Sequence, residues 1–206
     1  DIQAILAANL FGKPPYASLD PAPGRDGGLS LAVTPDGLVI DPAGEISIEC
    51  DPRLGTPEQL MHLQQIGFDR ISMGIQDFDK PVQQAIGRVQ SEKRTVGLYH
   101  ACRELEFDSV NLDLVFGLPK QTSETFARTL ETIIDLGPDR VACFSYAHVP
   151  WVKSNQKNID ESQLPDAYAK FDLFQQAIDT FAAAGYDWVG MDHFAKPDDS
   201  LAVAQR

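Results

Sequence analysis

Glu49, Gln76 and Asp113 are polar side chains set into runs that share one plan, and together they could receive a cation or a cluster of hydroxyls. In SVNLDLVFGLPKQ (109–121), Val110, Leu112 and Leu114 alternate with Asn111 and Asp113 at the period of a strand. Gly117 and Pro119 then break the run before a helical pattern starts. EISIECDP (45–52) places Glu49 in the same way, and RISMGIQDF (70–78) does so for Gln76. An inward-pointing carboxylate is costly to desolvate unless it meets a cation or hydrogen-bond donors. Two carboxylates and an amide would therefore suit a ribose-bearing, cationic ligand such as a sulfonium. Arg88, on the loop after the second run, would suit a carboxylate on that ligand or on a substrate through its two-pronged donor geometry. His148, Asp192 and His193 fall at corresponding places in two later runs, RVACFSYAHVP (140–150) and YDWVGMDHF (186–194), where spacing assigns them no role.

Such side chains converge only if the runs form one sheet. Large apolar residues (Ile46 and Ile48; Ile71, Met73 and Ile75; Phe144 and Tyr146; Val189 and Met191) alternate with a small or polar set. That second set is Ser47 and Glu49; Ser72, Gly74 and Gln76; Cys143, Ser145 and Ala147; Gly190 and Asp192. Helical patterns separate the runs, so the strands are expected to be parallel with crossover helices outside them. The expected fold is α/β, a partial (β/α) TIM-like barrel whose apolar face packs on helices and whose polar face lines the interior. Barrels of this kind do chemistry at the C-terminal strand ends. Arg70 and Arg140 begin strands and are expected to be structural, whereas Arg88, Lys120 and Lys196 follow strands and are expected over the opposite mouth.

The helices carry their own signals. Thr56, Pro57 and Gln59 form a start, with Leu60 and Leu63 facing the sheet. Leu98, Tyr99, Cys102 and Leu105 make one stripe over 91–107. A third helix, capped by Ser123, shows Phe126, Leu130, Ile133 and Ile134. A fourth, over 162–184, shows Leu164, Ala167, Phe171, Phe174, Ile178 and Phe181.

Thirty acidic against seventeen basic residues give a net charge of −13, which excludes the basic footprint that nucleic acid or an anionic membrane requires. No apolar run reaches membrane-spanning length and no signal-peptide pattern opens the chain. Cys50, Cys102 and Cys143 are odd in number and far apart, which fits reduced cysteines in a cytoplasmic protein, read here as a monomer. Residues 1–44 hold six of the fourteen prolines and read as a loop or linker over 13–28, followed by a small hairpin from 29–34 and 38–41. The chain starts at Asp1 and stops in a polar segment, so it is expected to be a piece of a longer protein, truncated at both ends.

EISIECDP, GFDRISMGIQDFDKPVQQAIGR, VNLDLVFGLPKQT, PDRVACFSYAHVP and GMDHFAKPDDSLAVAQR resemble the oxygen-independent coproporphyrinogen III oxidases, radical S-adenosylmethionine enzymes of haem synthesis. The resemblance covers 45–206 and leaves 1–44 outside it. The strand motifs are shared with the related haem chaperones, while FSYAHVP and GMDHFAKPDDSLAVAQR are those of the oxidases. It implies contacts to S-adenosylmethionine at Glu49, Gln76, Arg88, Asp113 and, through its backbone, Ala147. It also implies a 4Fe-4S cluster, an electron donor, and coproporphyrinogen III as substrate. It further implies a reaction in which two propionates are oxidatively decarboxylated by way of a 5′-deoxyadenosyl radical, giving protoporphyrinogen IX. The sequence departs from the family in lacking the C-x-x-x-C-x-x-C loop that holds the cluster, the glycine-rich segment after the second barrel strand, and the C-terminal domain. The expected entity is thus a fragment with part of the cofactor pocket and no iron ligands, inactive alone. Two alternatives stay open: a haem- or porphyrin-binding relative without oxidase activity, and an unrelated α/β barrel using Asp113 and a histidine for acid/base work on a small metabolite.

Overall fold

The computed structural model describes residues 44–206 together with the backbone of two short strands, β1 (Leu31–Thr34) and β2 (Gly37–Ile40). These two pair antiparallel, Leu31 opposite Ile40 and Thr34 opposite Gly37. The linker expected over 13–28 lies outside the described residues. The chain falls into two units, 1–46 and 47–206, and everything below concerns the second.

Its centre is a six-stranded sheet. The strands are β3 (Ser47–Cys50), β4 (Arg70–Gln76), β5 (Ser109–Phe116), β6 (Arg140–Ser145), β7 (Asp187–Gly190) and β8 (His193–Ala195), in the spatial order β3-β4-β5-β6-β8-β7. The first four are parallel neighbours in chain order, as crossover helices require. Those helices are α1 (Pro57–Gln65), α2 (Lys80–Ala85), α3 (Glu92–Glu104), α4 (Ser123–Leu136) and α5 (Ala167–Ala183). A last short helix, α6 (Ser200–Gln205), follows β8. Among the described residues the sheet stays open, with β3 and β7 as its edges.

Local chemistry sets the helix ends. At α1 the Gln59 N–H donates to Thr56 Oγ1 (3.3 Å) while Gln59 Oε1 accepts from the Thr56 N–H (3.0 Å), the reciprocal box expected from T-P-x-Q. Asp79, Ser91, Asp166 and Asp199 cap α2, α3, α5 and α6. The α4 cap is Thr122, one residue before the expected Ser123, and Gly137 closes that helix in the left-handed region at φ 65°. No helix among the described residues is long and apolar enough to cross a membrane.

The core lies between the sheet and its helices. Ile71, Met73, Ile75, Leu112 and Leu114 are buried against Leu60, Leu98, Phe126, Leu130 and Phe181. A side chain of that size contributes about 1.5–3 kcal/mol when fully buried. Helix α5 begins only after Pro165, so its buried stripe is Leu173, Ala177 and Phe181. Phe171, expected on the inner face, is 62% exposed.

Two strand expectations are corrected. In β6 the pairing sets Val141 and Cys143 level with Leu112 and Leu114, on the helix side, and puts Ala142 and Phe144 on the other. Size alternation alone would assign Phe144 outward and Cys143 inward. It fails because Val141, Ala142 and Cys143 are all buried, so neither face of this stretch is polar. The fifth run is not one parallel strand. Gly190 (φ 116°) and Met191 (φ 49°) reverse it into the β7–β8 hairpin, and β8 inserts antiparallel beside β6. Met191 is therefore 82% exposed instead of packed on a helix. The reversal also carries Lys196 to the start of β6, where its Nζ donates to the Gly137 carbonyl (2.7 Å), away from the mouth expected for it.

At the strand starts, Asp199 draws together Arg70 and Arg140. Arg140 Nε donates to Asp199 Oδ1 (2.6 Å), Arg70 Nη1 lies 3.6 Å from Oδ2, and Ser109 Oγ donates to Oδ2 (3.4 Å). The same carboxylate caps α6 by accepting from the Leu201 N–H (2.8 Å). Both arginines are structural, as their positions suggest, and they hold the last helix beneath the sheet.

Candidate functional site

Strand register builds the site. Glu49 is level with Ser72, and Ser72 with Asn111. One step further along, Gly74, Asp113, Ala142 and His193 stand in a row across four strands. Level residues of neighbouring strands share a face. Glu49, Asp113 and His193 therefore lie on the face opposite the helices.

Asp113 is the best-anchored of them. Ser72 Oγ donates to it (3.1 Å to each oxygen) and Asn111 Nδ2 donates to Oδ1 (2.6 Å). Burial pushes its carboxyl above the ordinary range; the two donors oppose this, and the neighbouring charges of Glu49 and His193 raise and lower it respectively. His193 is fixed edge-on to Phe144, ring centroids 5.9 Å apart.

Gln76 joins this group by an irregular route. The ladder slips between Gly74 and Gln76, and Gln76 takes φ 66°, a left-handed conformation that non-glycine residues adopt rarely. Its side chain folds back over Gly74: a methyl group built there would sit 2.7 Å from Gln76 Nε2 and 3.1 Å from Arg88 Nη2. Arg88 Nη2 donates to the Gly74 carbonyl (3.1 Å) and lies 3.4 Å from Asp51 Oδ1. Burial lowers the Arg88 pKa, and Asp51 and Asp113 counter that loss. Asp51 is itself held down to about 2, chiefly by the Arg53 side chain that donates to it. Gly74→Ala is expected to change stability by no more than about 1 kcal/mol, since only flexible side-chain ends are in the way. It should displace the Gln76 amide and the Arg88 guanidinium, which a crystal structure of the variant would reveal.

Ala147 lies just past β6, exposed, in a segment pinned by Gln156. That side chain donates to the Ala147 carbonyl (2.9 Å) and accepts from the Val149 N–H (2.6 Å). His148 is tied to the Tyr146 hydroxyl (2.9 Å) and Glu161 (3.1 Å), within the same segment. The residues that sequence reasoning missed are supports: Ser72 and Asn111 for Asp113, Asp51 for Arg88, Gln156 for Ala147. Ser72 and Asn111 were visible as members of the polar set, and Asp51 as the residue two after Glu49; nothing local marked Gln156.

The cysteines offer nothing to iron. Cys50 and the buried Cys102 and Cys143 are free, and burial raises all three thiols, Cys102 to about 12. Among the described residues no three of His, Cys, Asp and Glu gather closely enough to hold a metal.

The family model of the radical SAM superfamily matches residues 25–133, starting inside the proline-rich segment. The oxygen-independent coproporphyrinogen III oxidase of Salmonella typhimurium is 49% identical over 162 residues, 79% of this chain and 35% of that protein. The enzyme of the same name from Synechocystis is 44% identical over 195 residues, 95% of this chain and 41% of its own length. The chain thus spans well under half of these relatives. Coproporphyrinogen III oxidase from Escherichia coli, a radical SAM enzyme of solved structure, superposes with a TM-score of 0.79 at 48% identity, covering 81% of this chain and 38% of that one. A family match over more than half of the residues, carried by the same strand arrangement, settles the membership: the chain belongs to the radical SAM superfamily.

Proposed function

We propose that this chain forms the S-adenosylmethionine-receiving part of an oxygen-independent coproporphyrinogen III oxidase. The observation that supports this most is the meeting of Glu49, Gln76, Arg88 and Asp113 on one face of the sheet. The donor set fits the cofactor. Asn111 Oδ1 and Arg88 Nε are buried without a hydrogen-bond partner, an acceptor and a donor that a ligand with both ammonium and carboxylate groups would satisfy. Arg88 would bind the cofactor's carboxylate, Glu49 and Asp113 its hydroxyl and cationic groups, and Gln76 and the Ala147 backbone further polar atoms. With a four-iron cluster, S-adenosylmethionine supplies one-electron chemistry when bound. The described residues do not fit that cluster, so their part is binding and orientation. Coproporphyrinogen III as substrate, supported by the relatives' shared name, completes the reading, and an external electron donor, a cytoplasmic setting and a monomeric state are proposed with it.

Calorimetry tests it. The chain is expected to bind one S-adenosylmethionine, and Glu49→Gln to weaken that binding at least tenfold, about 1.4 kcal/mol. Absence of binding, or porphyrin binding that S-adenosylmethionine leaves unchanged, would overturn the reading.

A further inference from the structure

Directly behind Gln76 and Arg88 lies a buried polar cluster with no part in the contacts above. Asp77 is fully buried, and its carboxylate accepts three hydrogen bonds: from Gln121 Nε2 on Oδ2 (2.6 Å), and from Thr129 Oγ1 (2.8 Å) and the Asp79 N–H (2.7 Å) on Oδ1. Its own carbonyl accepts from Gln83 Nε2 (2.8 Å). Gln83 Oε1 in turn accepts from the Gln90 N–H (3.1 Å), and Gln90 Nε2 donates to the Ile75 carbonyl (2.7 Å). Gln121 cannot reverse its amide, because its Oε1 takes the N–H groups of Gly117 (2.7 Å) and Leu118 (3.2 Å).

This cluster ties together the end of β4, helix α2, the loop reaching Arg88, the turn after β5, and α4. Gln76 immediately precedes Asp77, and Arg88 stands two residues before Gln90. A left-handed glutamine persists where its surroundings dictate it, and here the next residue is held at every polar atom described. A buried polar network with its groups satisfied rigidifies and fixes one arrangement of the elements it joins. We infer that Asp77 is a positioning residue: by bridging the end of β4 to the turn after β5, it fixes Gln76 and Arg88 over Gly74 and sets their spacing from Asp113. The inference rests on the reading that these side chains receive S-adenosylmethionine.

The test compares four variants of the whole chain by calorimetry with S-adenosylmethionine, by melting temperature, and by the NMR signals of the Gln76 side-chain amide and the Arg88 Nε–H without ligand. Thr129→Val removes, at constant shape, the hydroxyl that donates to Asp77 and accepts from the Phe78 N–H (3.2 Å), and is expected to weaken binding about threefold; Thr129→Ser, which keeps the hydroxyl, should match wild type. Asp77→Asn sets one amide group against that of Gln121 and is expected to weaken binding at least tenfold. Asp77→Asn combined with Gln121→Glu restores a matched pair between the two side chains but removes the amide that donates to the Val115 carbonyl (3.0 Å), so it should regain part of the loss. In both weakened variants the Gln76 and Arg88 signals should move. Wild-type affinity with unmoved signals, in Thr129→Val alone if Asp77→Asn does not fold, would overturn the positioning role. If the unaltered chain binds no S-adenosylmethionine, the proposed function fails separately, and unmoved Gln76 and Arg88 signals would still overturn this inference.

Discussion

Replacing Asp199 with alanine is expected to destabilise the 47–206 unit by about 3–5 kcal/mol, the cost of breaking a buried ion pair from one side. The Asp199 side chain is 4% exposed, and its removal leaves Arg140 (20% exposed) and Arg70 (14% exposed) facing each other without it. The α6 cap disappears with it. The melting temperature should fall by about 6–20 °C. Asp199→Asn keeps an acceptor for the Leu201 N–H and should lose distinctly less. Urea denaturation of both variants checks this; a loss below about 1 kcal/mol for Asp199→Ala would mean that the two arginines find water instead.

The second large effect is at Asp113. Asp113→Asn is expected to weaken S-adenosylmethionine binding by about 2–3 kcal/mol, roughly 30- to 150-fold, since a charge-assisted contact in a half-buried setting is lost. The pH dependence has a definite sign. Burial raises the Asp113 pKa above its ordinary 3.8, and a cationic ligand binds the ionised form. Affinity should therefore fall as pH drops through that raised value, with a proton released on binding, and Asp113→Asn should lack this dependence. Stability of the ligand-free chain runs the other way. The folded state holds the proton more tightly than the unfolded state, so the contribution of Asp113 is complete below 3.8 and is lost as pH rises through the folded value. Asp113→Asn should thus be no less stable than wild type at pH 7. Titrations across pH decide both halves, and a variant that binds normally would remove Asp113 from the site.

The legible part of this fold is the part where one face is apolar and the other is not. Ile71, Met73 and Ile75 alternate with Ser72, Gly74 and Gln76, and burial follows that alternation residue by residue. Leu112 and Leu114 against Asn111 and Asp113 behave the same way. In β6 the rule has nothing to act on, because Ala142 is buried on the inner side and Cys143 is buried among the helices. Phe144 is large but meets His193 on the inner side, a contact that only β8 creates. The hairpin itself was announced by Gly190 alone, which also fits the interior of a strand. Glu49, Gln76 and Asp113 were readable as a group because each belongs to its own strand. Asp51 and Gln156 were not, because they lie outside the strands and support their partners through side-chain geometry that carries no period.

The reversal at Gly190 and Met191 also has a bearing on time. Every other neighbouring pair in the six-stranded sheet must close a long connection before a single ladder bond forms, a crossover for the three parallel pairs, which makes such pairings slow. The β7–β8 ribbon needs only its two-residue bend and can zip within about 1–10 μs. His193 reaches the inner row that begins at Gly74 only where β8 pairs with β6, a long-range closure that the local bend does not itself supply.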